Sequence, residues 1–313
     1  MSKDARGAAA GATEGSSSSR GHPFFSLGVM PALMGLGHLA PVLAAIYTAT
    51  GLVQFPPALL GMIGTAAALV DSYDTYKDVP LPQRPRKWVW NIWMCSLWAV
   101  VLVCTYYSGF QTAIQMYRFS FIGLCWGTPC IPVMSPASGF RLRLCKPKTV
   151  FREAKSLVVA VCMGYITADT GMFYFCHGKD AQCTEQSLRT RSLCLAVLYQ
   201  FFRETACDIR DVDEDRRDGM KTLPVRMGRR GTLLLLTGLG LVLDALLTGG
   251  VSVASRGVQI SNRLLVASVE RVLICMGLYG QILEHPRDDY LVWGIMALGG
   301  LVFGGWAQMS LIE

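Results

Sequence analysis

Long apolar runs broken by short polar segments dominate the chain. Runs near Phe24 to Thr48, Leu52 to Val70, Trp88 to Tyr107, Ile114 to Met134, Leu157 to Cys176, Leu188 to Cys207, Thr232 to Val253, Leu264 to Leu283 and Leu291 to Leu311 each approach the roughly 20 residues that a helix needs to cross a bilayer. The pattern predicts an all-α, multi-pass transmembrane bundle of about nine helices over residues 23–313. It places the chain in the lipid bilayer as an integral membrane protein. Residues 1–22, rich in Gly, Ala and Ser with no apolar core, read as a disordered tail. Asp4, Glu14 and the lack of an amphipathic pattern speak against a transit peptide.

Charge supports this count independently. With the N-terminus inside, nine spans put three basic stretches on the cytoplasmic side, where positive loops belong. They carry Lys77, Arg84, Arg86 and Lys87; then Arg141, Arg143, Lys146, Lys148, Arg152 and Lys155; then Arg210, Arg216, Arg217, Lys221, Arg226, Arg229 and Arg230. The opposite loops near Gly51 and Ser108 carry no charge. The net charge of +7 in a chain that is 52% hydrophobic and 16% charged is thereby topology, and no soluble basic surface remains to bind nucleic acid. Eleven Cys without a C-x-x-C pair suggest neither a zinc site nor a disulfide framework. The four His lack partners at metal-ligand spacing and read as structural.

Two polar clusters stand at span ends. On an ideal helix, Glu204, Asp208, Asp211, Asp215 and Asp218 fall within about 80° of one another, with Asp213 on roughly the opposite side. Asp71, Asp74 and Asp78 fall within about 60° after the second span, and Lys77 points away. Like charges at such spacing repel, so two stripes at the same end of a bundle call for a countercharge and mark an ion or substrate site. A calcium loop at Asp211, Asp213 and Asp215 fails, because Arg216 stands where Gly is needed and Thr222 where a bidentate Glu is needed.

Opposed carboxylates beside basic loops suit a diphosphate held through Mg²⁺. Arg84, Lys146, Lys148, Arg217 and Lys221 are the candidate diphosphate-binding cations. Trp93, Tyr165, Phe173, Tyr199 and Phe202 could line a slot for the apolar remainder, where aromatic faces would also stabilise an allylic cation.

These residues resemble the UbiA superfamily of intramembrane prenyltransferases, which also carry nine spans with acidic motifs after the second and sixth. The string Arg203-Glu204, Asp208, Asp211, Asp215, Asp218-Gly219, Lys221-Thr222-Leu223-Pro224-Val225 and Gly228 is similar to the family's second motif and its downstream signature. Asp71, Asp74, Asp78 and Arg84-Pro85 are similar to the first motif, but Val70 stands where members show Asn. The resemblance implies a polyprenyl diphosphate donor, Mg²⁺, an allylic carbocation, and an acceptor that is aromatic or otherwise hydrophobic. It implies that Asp74, Asp78, Asp208 and Asp215 bridge the metal, that Asp71, Glu204 and Asp211 assist, and that the loop bearing Lys146 and Lys148 supplies positive charge. Two other functions fit the pattern less fully. One is a membrane terpene cyclase that needs no acceptor. The other is a transporter or lipid-binding scaffold, for which Asp169 and Asp244 within spans would be the marks.

Overall fold

Pro56 and Pro57 open the second span, since a proline at the first helical position lacks only an N–H that would go unpaired anyway. The helix they start, α3 (Pro57–Asp78), runs for 22 residues and carries the first acidic cluster on its last turns. The computed structural model describes residues 25–79, 81–126, 129–135, 141–150, 153–177, 183–217, 219–248, 251–254 and 257–260, with isolated helical positions between 265 and 277. The expected N-terminal tail, the ninth span and most of the eighth lie outside them, as do His22, His285 and Asp218.

A π-helical turn (Phe25–Val29) leads into α1 (Met30–Gly37) and α2 (Leu39–Thr50). After α3 come α4 (Lys87–Ser108) and α5 (Phe110–Trp126). A hairpin of β1 (Ile131–Ser135) and β2 (Arg141–Cys145), paired antiparallel with Ile131 opposite Cys145, precedes the single turn α6 (Pro147–Val150). α7 (Lys155–Gly164) continues through a π-helical turn (Tyr165–Asp169) into α8 (Thr170–Cys176). α9 (Gln186–Arg210), α10 (Val212–Arg217) and α11 (Leu223–Thr248) follow, then a second hairpin of β3 (Val251–Ala254) and β4 (Gly257–Ile260).

The chain is mostly helical, and two short hairpins qualify the all-α expectation. The fourth span was expected to reach Met134, but its helix stops at Trp126 and the alternating β1 takes over. The seventh was expected to reach Val253, but α11 stops at Thr248, where Val251, Val253, Val258 and Ile260 form strands instead, as β-branched residues favour. Among the described residues, three helical segments are long and apolar enough to cross a membrane: Leu27–Thr50, Lys87–Ser108 and Lys155–Cys176. Nine such segments are therefore not seen. α3 and α9 are long but carry acids and bases in their final turns.

α1 packs on α3, α2 on α8 and α9, and α7 on α9. The core joins Val42 and Ile46 of α2 to Leu59, Met62 and Ile63 of α3 and Ala113 and Met116 of α5. Alanines 45, 49, 168 and 196 let α2, the π-helical turn before α8, and α9 close up beside it, as small residues do between packed membrane helices. Gly35 touches the Gly64 backbone so closely that a Cβ there would strike the Gly64 carbonyl oxygen. α4 is the contrast: only 11% of its apolar window is buried, and Trp88, Ile92, Trp98 and Leu102 are exposed. An apolar helix that faces outward needs lipid or another apolar surface.

Cross-span hydrogen bonds fix the polarity of the bundle. At one end, Ser72 Oγ donates to Leu27 O (3.1 Å) and Ser156 of α7 reaches Asp208 of α9. At the other, the Thr184 N–H and Oγ1 donate to Ala49 O (2.9 Å) and Thr48 O (2.8 Å). Both acidic clusters thus lie at the same end. Beside the opposite end, Cys176 and Cys183 form a disulfide with a Cα separation of 5.8 Å. This corrects the expectation of unpaired packing cysteines, because the two come together at the end of α8 and ahead of α9 across a spacing that no short motif announces.

Candidate active site

The second acidic run does not form one continuous helix. α9 ends at Arg210, Asp211 leaves helical geometry at φ −87° and ψ 9°, and α10 resumes at Val212. The break preserves the face that matters. Asp208 and Asp215 are buried and meet the same cation: Lys155 Nζ stands 2.8 Å from Asp208 Oδ1 and 3.3 Å from Asp215 Oδ1. Their outer oxygens are tied by hydroxyls, with Ser156 Oγ donating to Asp208 Oδ2 (2.6 Å) and Thr222 Oγ1 to Asp215 Oδ2 (3.1 Å). Side-chain exposures of 4% and 9% leave these carboxylates little water, so the ammonium and hydroxyls supply what solvent would.

Glu204, one turn earlier on α9, interacts electrostatically with Arg203, Asp208, Lys155 and Asp71. The two stripes are therefore joined through α9. Burial pushes the Asp71 carboxyl up from the usual carboxylate range, Arg203 and Arg210 hold it back, and Asp74 adds to the rise. Such a carboxyl takes a proton or a cation more readily than an exposed one. Arg203 is buried beneath the stripes. Its Nη1 lies 3.0 Å from His38 Nε2 and donates to Gln200 Oε1 (3.4 Å), which also gives His38 its structural role.

Other expected residues sit less centrally. Asp211 accepts two bonds from Arg210, at 2.6 and 3.0 Å. Asp213 is exposed and pairs outward with Arg229 (2.7 Å) and Arg216 (3.6 Å), on the side away from Lys155. Asp74 is exposed, and Val70 beside it is 45% exposed. Arg84 is drawn toward its own loop, with Nε donating to Val79 O (2.8 Å) and its guanidinium 4.8 Å from the centre of the Tyr76 ring. Arg217 Nε donates to Asp213 O (3.3 Å), and Lys146 and Lys221 are exposed. The side chains of Asp78, Lys148 and Asp244 lie outside the described ones.

The five aromatics do not share one slot. Tyr199 and Phe202 are buried within the bundle, and Tyr165 stacks on Phe119. Trp93 Nε1 donates to Ser72 Oγ (3.4 Å) near the acidic end. Phe173 stacks on His177 at the other end, roughly 27 Å along the helix from Lys155. Asp169 accepts a hydrogen bond from Gln115 Nε2.

Sequence reasoning missed Lys155 and Ser156 as parts of the site. Lys155 counted only toward the basic loop charge. Its signal was its place as the first residue of a span, with a hydroxyl beside it and an apolar run after it.

The donor set suits a hard cation in part. Two carboxylate oxygens already converge on one positive charge, and oxygen ligands are what Mg²⁺ takes. Among the described residues no three acidic, His or Cys side chains gather on one point. One or two carboxylates completed by water and phosphate oxygens is the usual magnesium arrangement.

Comparison with known proteins identifies the family of the chain. The sequence profile of the VviA prenyltransferase family matches residues 21–311. None of the curated proteins compared with the chain matches it. Among solved structures, the chain is similar to the apo structure of a UbiA homolog from Aeropyrum pernix K1, at 15% identity and a TM-score of 0.43 over 90% of this chain and 97% of that one. By the family profile, which spans nearly its whole length, the chain belongs to the VviA prenyltransferase family and is an enzyme that transfers prenyl groups.

Proposed function

We propose that this protein is a Mg²⁺-dependent, multi-pass intramembrane prenyltransferase of about nine spans that moves the prenyl group of a polyprenyl diphosphate to an aromatic or lipid acceptor. The observation that carries the reading is the convergence of Asp208 and Asp215 on one cation position, at the end of the bundle where Asp71 faces α9. Bound magnesium would supply positive charge against the departing diphosphate.

The chain's own residues do the rest. Ser156 and Thr222 orient the two carboxylates, and Arg203 and Arg210 balance the charge of Asp71 and Glu204. Asp74 and Asp78 extend the first stripe, with Asp211 assisting on the second. The exposed Lys146 and Lys221, together with Arg84, Lys148 and Arg217 of the neighbouring loops, neutralise the diphosphate. The bond from the allylic carbon to the diphosphate oxygen breaks with its electrons going to the diphosphate. The acceptor then bonds to that carbon and releases a proton. Burial of the prenyl chain among helices excludes water, which would otherwise capture the cation.

The test is product analysis of purified protein with prenyl diphosphates of several lengths, in Mg²⁺ or EDTA, with and without aromatic and lipid acceptors. An Mg²⁺-dependent prenylated acceptor supports the reading, and no such product from any donor and acceptor pair counts against it. A membrane terpene cyclase is the second reading, favoured by the apolar, exposed Val70 in the first motif. Diphosphate release with a hydrocarbon product and no acceptor would select it. Asp169, already engaged by Gln115, leaves transport with no observation in its favour.

A further inference from the structure

We propose that the Lys155 ammonium occupies the divalent-cation position of the second acidic stripe in the unliganded protein, and that a metal ion binds there only by displacing it. The proposal rests on the metal-dependent reading above and adds a competing group within the chain.

Three observations converge. Nζ lies between Asp208 Oδ1 and Asp215 Oδ1, at 2.8 and 3.3 Å, so one charge already bridges both carboxylates. The two outer oxygens are held independently by Ser156 and Thr222. The inner oxygens therefore keep their aim when the ammonium departs. Finally, the lysine is the more mobile partner. The carboxylates are almost fully covered, whereas the Lys155 side chain is 21% exposed and stands at the first residue of α7. A four-carbon stem with a strongly hydrated head can swing out where two helix-borne carboxylates cannot.

A metal ion and an ammonium cannot share the point. Two cations about 3 Å apart with so little solvent between them repel strongly, so the lysine leaves or the metal stays out. This differs from an ordinary structural ion pair in one measurable respect. Removing either kind of partner unmasks the carboxylates and favours a cation there, but only a displaced competitor becomes more accessible when the metal binds.

The experiment titrates Mn²⁺ into the full-length protein in detergent, without diphosphate, and follows free Mn²⁺ by electron paramagnetic resonance. Lys155→Met should bind Mn²⁺ about tenfold or more tighter than the unaltered protein, and Lys155→Arg should not. Metal-free Lys155→Met should melt below the unaltered protein and show the larger rise on adding Mn²⁺. In the unaltered protein, acylation of Lys155 by an amine-directed reagent, read by mass spectrometry, should increase when Mn²⁺ is added. That measurement does not depend on any variant folding. Equal or weaker Mn²⁺ binding by Lys155→Met, or Lys155 labelling that is unchanged or reduced by Mn²⁺, overturns the displacement. If both proteins bind Mn²⁺ equally and Asp208→Asn abolishes it in each, the displacement fails while the metal-dependent reading stands. If none binds Mn²⁺ through Asp208 even with pyrophosphate present, the metal-dependent reading fails as well.

Discussion

The two acidic stripes are built to different standards of order. On α9 and α10, Asp208 and Asp215 are buried, each tied to a hydroxyl and both sharing one ammonium. On α3, Asp71 is partly buried and Asp74 is exposed. Its neutralising charges, Arg203 and Arg210, come from the other stripe's helix. One wall of the proposed site is thus held inside the bundle by its own hydrogen bonds and ion pairs, and the other stands nearer to solvent. Interactions already in place cost no reorganisation during reaction, whereas ordering exposed groups draws on binding energy.

The sharpest way to break this asymmetry is Asp208→Ala. It leaves Lys155 beside Asp215 alone, and should lower prenyl transfer by about a thousandfold or more, measured as product per minute. The same variant should lose roughly 2–4 kcal/mol in chemical unfolding, the cost of stranding a partly buried charge. Asp74→Asn tests the looser wall. It should cost about ten- to a hundredfold in transfer while changing stability by less than about 0.5 kcal/mol, because the position is exposed.

A variant remote from both walls serves as the control. Cys176→Ser opens the short disulfide loop to Cys183 and should reduce stability by about 2 kcal/mol, with Mn²⁺ affinity unchanged in titration. The smallest effect is expected of Val70→Asn, which places at this position the polar residue that the resemblance to UbiA prenyltransferases implies. It should tighten Mn²⁺ binding by no more than about threefold, since the side chain projects from an exposed surface and adds one oxygen donor.

Helical periodicity was enough to separate Asp208 and Asp215 from Asp213. The structure keeps that division, with the first two on Lys155 and the third turned outward to Arg229. The pairing itself was not legible. Lys155 and Asp208 are 53 residues apart, and nothing in local spacing says which basic residue folds onto which acid. Hydropathy marked the three helical segments that are long and apolar enough to cross a membrane, but elsewhere it ran past the helix ends at Trp126 and Thr248, because β-branched residues are apolar in a strand as well as in a helix. It also could not anticipate that Asp211 would leave the helical line and pair with Arg210. Arg203 stood in the motif from the start, yet only the packing of α9 against α2 shows it buried, in contact with His38 and with Met34 of α1.

The Cys176–Cys183 bond gives the molecule a compass. Disulfides persist in oxidising compartments and are reduced in the cytosol, so on the multi-pass reading proposed above the end that bears Cys176 and Cys183 would face an oxidising compartment. The acidic mouth opens on the other. On the proposed function, a water-soluble cation and the polar head of a diphosphate would then enter from the reducing side, and pyrophosphate would return to it. One covalent bond at the far end of the bundle would thereby give the proposed reaction its direction across the membrane.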